Sequence, residues 1–324
     1  MNTNMTQTLS PNNLPAATEP TFYFIGVTTG SSSIMKVFPK WAEHLGISNK
    51  IVGIDIALDA HPSEYVKVVE FIKHDQLSLG ALVTSHKLNL FKATKHLFEQ
   101  IGESAEILDE ISCISKRGSE LHGHAMDDVT AGLSLRRLAP ENYFLKNDAE
   151  LLLFGAGGSS LALTLFLHRE QQAGRDVPRR IVVTNRRPQR LHEMQELHQK
   201  IGFQIPIEYL ESPDSVVNDR ALGSMAPFSI IANATGLGKD RPGSPISHTA
   251  LFPVDSIAWD FNYRGDLVFL DQAKTQSKYR RVQAVDGWFY FLHGWTRVID
   301  QVFDIRIPTS GPEFTRLSEI ATTP

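Results

Sequence analysis

The chain of 324 residues has one cysteine, Cys113, so it cannot form an internal disulfide, and that cysteine belongs to no metal-binding spacing. We therefore predict no metal site and a reducing compartment. The net charge of -4 supplies no basic field for a polyanion, which argues against a nucleic-acid partner. No apolar run approaches the roughly 20 residues of a membrane helix, and the first residues lack the basic start and apolar core of a signal peptide. These absences favour a cytoplasmic protein without membrane attachment.

The length of the chain predicts two domains. At 324 residues it exceeds the size at which one hydrophobic core usually stops growing, and its 42% hydrophobic content is ordinary for a globular protein. Residues 1–20 are rich in Asn, Thr and Pro and have little to bury, so we predict a disordered lead there. We place a first domain at residues 21–127, completed by a C-terminal helical segment at 287–316, and a second domain at residues 128–286.

Short β-branched or aromatic runs alternate with longer amphipathic segments, a pattern typical of βα units and mostly parallel sheets. The expected fold class is therefore α/β, with two such domains in tandem. Strands are predicted at 22–27, 51–56, 80–84, from Leu151 onward, and at 181–184, 207–210, 228–233 and 256–261. Helices are predicted at 63–73, at 287–303 and at 34–44, where Pro39 predicts a kink or a late start.

The run LLLFGAGGSSLALTLFL, from Leu151, is a strand, a glycine turn and an apolar helix in immediate succession. Gly155 would allow the tight turn, Gly157 the close approach of backbone to a pyrophosphate, and Ser160 the packing of helix on strand. The pyrophosphate would lie at the helix N-terminus, where free N–H groups point outward. The alternative is a tight turn that binds nothing. The candidate phosphate-binding residues are Gly155, Ala156, Gly157, Gly158 and Ser159.

The end of the next predicted strand indicates which dinucleotide would bind. NAD-binding folds place a carboxylate there for the ribose hydroxyl, whereas this chain reads VVTNRRPQR. Arginine side chains suit a 2′-phosphate because their planar forks bind it through paired hydrogen bonds. The sequence therefore predicts NADP as the cofactor, with a solvated basic loop as the alternative. The candidate residues are Asn185, Arg186, Arg187 and Arg190.

Four motifs in the second half are together similar to the nucleotide half of shikimate dehydrogenases. They are GAGGSS, the pair Asn185 and Arg186, NATGLGKDRPGSPI from Asn233, and WDFNYRGDLVFLDQA from Trp259. The resemblance implies a Rossmann-type NADP-binding domain beside an N-terminal substrate domain, with a cleft between the two. It also places Asn233, Thr235 and Gly287 among the cofactor-binding residues.

The first half resembles the same family at two charged positions. LVTSHK is similar to a family run whose lysine is catalytic, which places Lys87 on that lysine. GHAMDD is similar to a run whose aspartate faces the lysine, which places Asp127 there. On the residues alone, Lys87 could equally be a surface lysine at a helix start. Asp127 could be an acidic residue favoured by the helix dipole, a role that Asp128 would fill as well.

The groups that would hold the substrate depart from the family pattern. A serine pair in the family corresponds here to three serines followed by Ile34, so an ungapped match puts isoleucine on the second serine. Ala125 replaces a family asparagine, Gly294 a glutamine, and VTSHK lacks the family proline. Altered hydrogen-bonding groups predict altered specificity. The candidate substrate-binding residues are Ser31, Ser32, Ser33, Thr84, Tyr263 and His293, the last with a core histidine as its alternative.

The predicted function is that of an NADP-dependent oxidoreductase that interconverts 3-dehydroshikimate, or a related cyclic keto acid, and its alcohol. The cofactor handles the hydride, so the protein must handle the proton, and a partly buried lysine beside an aspartate can do so. We assign that role to Lys87 and Asp127. Two alternatives are a non-catalytic NADP-binding sensor and a folate-type dehydrogenase. The substrate would be shikimate, quinate or another cyclic hydroxy acid, and a homodimer is compatible with the sequence.

Overall fold

The structure is a computed structural model that describes residues 8–239 and 241–322. The chain divides into two compact units: the first ends at Met126 and resumes at Gly294, and the second is Asp127–His293. The first boundary lies next to the predicted one. The return to the first unit occurs inside the last long helix rather than at its beginning.

The first unit is a mixed sheet with helices. Its strand order is β2-β1-β3-β5-β6-β4, and β1 pairs in parallel with β2 and β3, whereas β5 is antiparallel to both β3 and β6. The carboxyl ends of β1, β2 and β3 therefore lie at one edge of the sheet. The elements are β1 Thr21–Gly26, α1 Ile34–Leu45, β2 Lys50–Asp55, α2 Pro62–His74, β3 Ser78–Val83, α3 Lys87–Thr94, β4 Gln100–Ile101, α4 Glu103–Leu108, β5 Cys113–Arg117, β6 Glu120–His124 and α12 Gly311–Thr322.

The predicted disordered lead is wrong for residues 8–20. Leu9 is buried and forms a parallel bridge with Ile54: its N–H donates to the Gly53 carbonyl at 2.8 Å, and its carbonyl accepts from the Asp55 N–H at 2.9 Å. Because β2 is the edge strand of its sheet, it offers unpaired backbone groups that a passing segment can bind. The remainder of the predicted lead, residues 1–7, lies outside the described residues.

The second unit has a parallel six-stranded sheet in the order β12-β11-β10-β7-β8-β9. The chain starts at the centre with β7, winds outward through β8 and β9, and then returns to the other side of β7 with β10, which is the Rossmann arrangement. The elements are α5 Asp127–Leu138, α6 Tyr143–Asn147, β7 Leu151–Phe154, α7 Gly158–Gln172, β8 Ile181–Asn185, α8 Pro188–Lys200, β9 Ile207–Glu211, α9 Ser215–Gly223, β10 Ile230–Asn233, β11 Ile257–Asp260, α10 Val268–Thr275, β12 Gln283–Val285 and α11 Trp288–Phe303.

Strand β7 shows why an uninterrupted apolar run predicts a central strand. All four of its residues are buried, with Leu151 and Leu153 in one hydrophobic cluster and Leu152 and Phe154 in another. Because successive side chains of a strand point to opposite faces, a strand covered by helices on both faces must be apolar throughout. The glycine turn that follows β7 is thereby held on a rigid element.

The C-terminal part of the chain completes the core of the first unit. Trp295, near the middle of α11, contacts Phe22 and Phe24 of β1 at ring-centroid distances of 6.5 and 5.0 Å. The indole N–H of Trp41 in α1 donates to the carbonyl of Leu317 in α12 at 2.8 Å. Within the described residues, no helix is long and apolar enough to cross a membrane.

Gly132 permits the close packing of α5 on α7, and we expect Gly132→Ala to destabilise the second unit. A Cβ at this position would lie 2.2 Å from Cδ2 of Phe166. Such overpacking typically costs about 1–3 kcal/mol, which exceeds the helix-propensity gain of roughly 1 kcal/mol. Urea denaturation should report the loss. Gly223→Ala is the matched control, because no described atom lies within 4 Å of its added Cβ; equal stability of both variants would contradict this packing.

Candidate active site

The turn after β7 has the geometry of a phosphate-binding turn. Gly155 has φ of +105°, a conformation that side chains disfavour, and its N–H donates to the Thr184 carbonyl at 2.7 Å. Ser160 is buried, and its hydroxyl donates to the Gly155 carbonyl at 2.6 Å. The serine at the third glycine position therefore holds the turn against the helix.

The first residues of α7 present open space to solvent. Gly157 is the N-cap of α7, both Gly157 and Gly158 are exposed, and no described atom lies within 4 Å of a Cβ built on Gly157. The first N–H groups of a helix have no intrahelical partner, and the helix dipole favours an anion there. The place where a phosphate could approach the backbone is thus unobstructed, as the fingerprint requires.

Asn185 links this turn to the basic loop that follows β8. Its side-chain oxygen accepts from the Ala156 N–H at 3.3 Å, and its amide group donates to the Arg187 carbonyl at 2.9 Å. Arg186 and Arg187 are exposed, and within the described part of the chain neither guanidinium forms an ion pair. Arg190 differs, because it pairs with Glu193 at 2.8 Å on α8. Arg186 and Arg187 are therefore the better candidates for binding a 2′-phosphate.

The segment after β10 lies beside the glycine turn. A Cβ on Gly155 would be 2.9 Å from the Ala234 carbonyl oxygen and 3.3 Å from Cγ2 of Thr235. Because β7 and β10 are the neighbours at which the strand order reverses, their carboxyl ends frame the usual ligand position of this fold. Asn233 itself is fully buried and uses its side chain within the protein. Its predicted contribution to cofactor binding is therefore indirect.

In the first unit, Lys87 is the first residue of α3 and is half-buried. Its N–H donates to the Thr84 carbonyl at 3.3 Å, and its carbonyl accepts from the Ile111 N–H at 3.4 Å. Thr84 follows β3, where its N–H donates to the Ile25 carbonyl at 3.0 Å. The lysine thus begins a helix at the carboxyl edge of the sheet, as the sequence predicted.

His86 anchors the residue before Lys87. It is 1% exposed, and its ring nitrogens lie 2.9 Å from the Ile56 carbonyl oxygen and 3.1 Å from the Tyr65 hydroxyl. A carbonyl can only accept, so Nε2 carries the proton and Nδ1 accepts from the tyrosine. Burial lowers the pKa of His86, which keeps the imidazole neutral. Its role is to fix the backbone from which Lys87 projects.

The two aspartates at the start of α5 have different surroundings. Asp128 is buried and forms an ion pair with Arg169 of α7, so it has a structural role. Asp127 is half-buried at the first position of the helix. The preceding residue, Met126, is held in the first unit because its N–H donates to the Ser112 hydroxyl at 2.8 Å.

The predicted serine clamp lies on a turn between β1 and α1. Ser31 is exposed and its hydroxyl donates to the Thr28 carbonyl at 3.0 Å, whereas Ser32 and Ser33 are half-buried. The turn is fixed by Asp55, whose Oδ1 accepts from the N–H and hydroxyl of Thr29 at 2.7 and 2.6 Å. A carboxylate at the base of this turn was not predicted. Its only signal in the sequence is an acidic residue at the end of a buried strand.

Two departures from the family pattern fall on buried residues. Ile34, at the position of the second family serine, is completely buried in α1, and Ala125 is 4% exposed. Ile34 is thus a core residue that offers nothing to a ligand. At these two positions the chain therefore has no polar side chain that could bind a substrate.

The remaining predicted residues lie near the start of α11. The rings of Tyr263 and Phe291 are 4.7 Å apart, and those of Trp288 and Phe291 5.4 Å apart. A Cβ on Gly287 would lie 2.1 Å from the Phe261 carbonyl oxygen, so glycine is required there for close backbone packing. His293 is 2% exposed, as expected for the core histidine alternative.

No protein-family model matches the chain. Two curated relatives are named shikimate dehydrogenase (NADP(+)). That of Xanthomonas campestris pv. campestris (strain 8004) is 28% identical over 263 residues, which cover 76% of this chain and 83% of the relative. That of Lactococcus lactis subsp. cremoris (strain MG1363) is 22% identical over 225 residues, or 69% and 73% of the two chains. The resemblance to shikimate dehydrogenases is thereby confirmed, at the identity of a divergent relative.

Solved structures of this fold cover almost the whole chain. Shikimate dehydrogenase from Aquifex aeolicus has a TM-score of 0.71 at 20% identity and covers 94% of this chain and 98% of its own. Quinate dehydrogenase from Corynebacterium glutamicum has a TM-score of 0.67 at 15% identity, with coverages of 93% and 98%. The 5-ketofructose reductase of Gluconobacter sp. strain CHM43 has 0.64 at 16%, with 97% and 98%. These matches confirm the predicted fold class.

Proposed function

We propose that this divergent relative of the shikimate dehydrogenases is an NADP-dependent oxidoreductase that interconverts a cyclic keto acid such as 3-dehydroshikimate and its alcohol. The observation that carries the proposal is the geometry of two neighbouring loops. The turn after β7 has an exposed Gly157 with open space beside it, and the loop after β8 has two exposed arginines. The names of the curated relatives support the same cofactor and reaction class.

The transfer of the proton is assigned to a residue of the first unit. A bound nicotinamide supplies or accepts the hydride. Lys87 is assigned to give a proton to the carbonyl oxygen during reduction and to take it from the hydroxyl during oxidation. His86 supports this role by fixing the backbone before Lys87 through its bonds to Ile56 and Tyr65. A non-catalytic sensor would have no need for a lysine whose backbone is fixed in this way.

Asp127 is proposed as the partner of Lys87. The support is a short path of contacts in the first unit: the Lys87 carbonyl accepts from the Ile111 N–H, and the hydroxyl of the next residue, Ser112, accepts from the Met126 N–H. Asp127 follows Met126 directly in the chain. A carboxylate in that position would hold the lysine ammonium by charge.

Preference for NADP over NAD tests the basic loop. We expect the double variant Arg186→Ala, Arg187→Ala to bind NADP at least tenfold more weakly and NAD unchanged, because a hydrogen bond to a charged group contributes about 1.5–3 kcal/mol. Fluorescence titration with both cofactors measures this. Arg220→Ala, another exposed arginine of the second unit, is the control. Equal losses for both cofactors would contradict recognition of the 2′-phosphate by this loop.

One observation favours a second candidate substrate class, namely neutral polyhydroxylated ketones. Ile34 is buried, and the carboxylate of Asp55 lies at the base of the serine turn. Like charges repel, so a negative group there disfavours a substrate carboxylate and suits hydroxyl groups. The fold neighbour from Gluconobacter, a 5-ketofructose reductase, acts on a ketone of this kind.

A substrate panel distinguishes these proposals. The purified protein is incubated with NADP or NAD and shikimate or quinate, and with NADPH and 5-ketofructose, while nicotinamide absorbance is followed. Oxidation of shikimate or quinate supports the cyclic acid, and oxidation of NADPH only with the sugar ketone supports the neutral class. NADP binding without turnover of any substrate would contradict both and favour the sensor.

A further inference from the structure

We propose that Asp260 is a positioning residue that fixes the segment after β10 against the Gly155 turn and thereby sets the affinity for NADP. This inference rests on the proposed function, because it concerns the same cofactor site. It assigns a role to a buried carboxylate that takes no part in the glycine turn or in the proposed proton transfer.

Asp260 is the last residue of β11 and is completely buried. Its Oδ2 accepts from Nδ2 of Asn233 at 2.9 Å, and its Oδ1 accepts from the N–H and from Nδ2 of Asn262, both at 2.8 Å. Desolvation raises its pKa to about 6, against these hydrogen bonds, so the group is ionised at pH 7.5. Both oxygens then act only as acceptors.

Asn233 connects Asp260 to the segment after β10 through hydrogen bonds. Its Oδ1 accepts from the N–H of Thr235 at 3.1 Å and from the Thr235 hydroxyl at 2.6 Å. The Thr235 hydroxyl oxygen in turn accepts from the Leu237 N–H at 3.2 Å, and Nδ2 of Asn262 donates to the Thr235 carbonyl at 3.3 Å. The backbone from 233 to 237 is therefore held by a bonded chain that ends on Asp260.

The segment so held forms one wall of the phosphate turn. The Ala234 carbonyl and the Thr235 methyl group are the nearest atoms to a Cβ built on Gly155, at 2.9 and 3.3 Å. A displacement of this segment by a fraction of an ångström would therefore move atoms into the turn or away from it. Binding sites lose affinity when groups shift by such amounts, because their geometry is no longer preorganised.

A carboxylate is the only group of this shape that satisfies all these donors. An amide at 260 has one acceptor oxygen and one NH2 nitrogen that can only donate, so either orientation would point an N–H at a donor of Asn233 or Asn262. Asn233 cannot rotate to compensate, because its oxygen is used by Thr235. A buried donor without an acceptor destabilises the arrangement that contains it. The change from carboxylate to amide should therefore disturb the segment despite its equal size.

The test is the dissociation constant of NADP, measured by calorimetry at pH 7.5. We expect Asp260→Asn to weaken binding at least tenfold. Exchanging the two groups, with Asn233→Asp and Asp260→Asn together, should return the affinity to within a few-fold of the wild type. The exchanged pair restores every donor and acceptor except the 3.4 Å bond from Asn233 to the Leu237 carbonyl. A residue with only a structural role would lower thermal stability without this rescue of binding.

Two further variants keep the proposal falsifiable. Asn262→Ala removes the side-chain bond to Asp260 and should weaken NADP binding. Asn218→Ala breaks a buried bond to the Pro245 carbonyl of 2.7 Å elsewhere in the unit, and should lower stability alone. Wild-type protein that does not bind NADP refutes the proposed function. Wild-type binding with an unchanged dissociation constant in Asp260→Asn refutes this inference, and if that variant does not fold, an unchanged constant in Asn262→Ala refutes it.

Discussion

Replacing Lys87 by alanine is expected to lower kcat by roughly 10²–10⁴-fold, the usual contribution of a positioned acid–base group, while the dissociation constant of NADP stays unchanged. Turnover needs a proton carrier, and the half-buried Lys87 at the start of α3 is the assigned group. Cofactor binding should survive because the glycine turn belongs to the second unit and Lys87 to the first. Steady-state kinetics and a fluorescence titration of NADP measure the two quantities separately.

The matched control is Lys92→Ala, an exposed lysine of the same helix. It removes the same charge from α3, so a general effect of charge or helix stability would appear in both variants. Wild-type turnover in Lys87→Ala would contradict the assignment. Loss of NADP binding in that variant would indicate that the lysine acts on the cofactor site instead.

Gly157→Ala is expected to weaken NADP binding at least tenfold, which corresponds to about 1.4 kcal/mol, with only a small loss in the free energy of unfolding, because alanine is a poorer N-cap than glycine. The added methyl group meets no described atom within 4 Å, so the fold has room for it. The same space is where the pyrophosphate would approach the backbone. Calorimetric titration of NADP and urea denaturation measure the two effects.

Gly155→Ala should behave differently and serves as the comparison. Its φ of +105° and the 2.9 Å approach of its added Cβ to the Ala234 carbonyl strain the turn itself, so stability and binding should both fall. Gly223→Ala supplies the control for a methyl group in open space away from the site. If Gly157→Ala binds NADP as well as Gly223→Ala does, the turn after β7 is not the phosphate site.

Much of the second unit could be predicted because its signals are local. The strand, the glycine turn and the start of α7 occupy consecutive residues from Leu151, and their apolar pattern and glycines specify the conformation with few alternatives. The basic loop after β8 could be predicted for the same reason, because its arginines directly follow the strand in the sequence. The sequence also placed Lys87 correctly at the start of a helix after a strand.

The lead segment shows the limit of composition as a guide. Residues 8–20 have few apolar groups, yet Leu9 is buried, and the backbone groups of Gly53 and Asp55 bind it from either side of Ile54. Composition predicts whether a segment can form its own core. It does not detect an edge strand elsewhere that offers hydrogen bonds.

By itself, the sequence determined the α/β class, the glycine turn after β7, the arginine loop after β8 and the positions of Lys87 and Asp127 at helix starts, because each depends on residues close together in the chain. The tertiary structure alone revealed the groups that hold these residues. Thr29 bonds Asp55 across 26 positions, Asn233 bonds Asp260 across 27, and His86 bonds the Ile56 carbonyl across 30. Such partners meet only when parallel strands bring their carboxyl ends to one edge of a sheet, and no local pattern encodes that meeting.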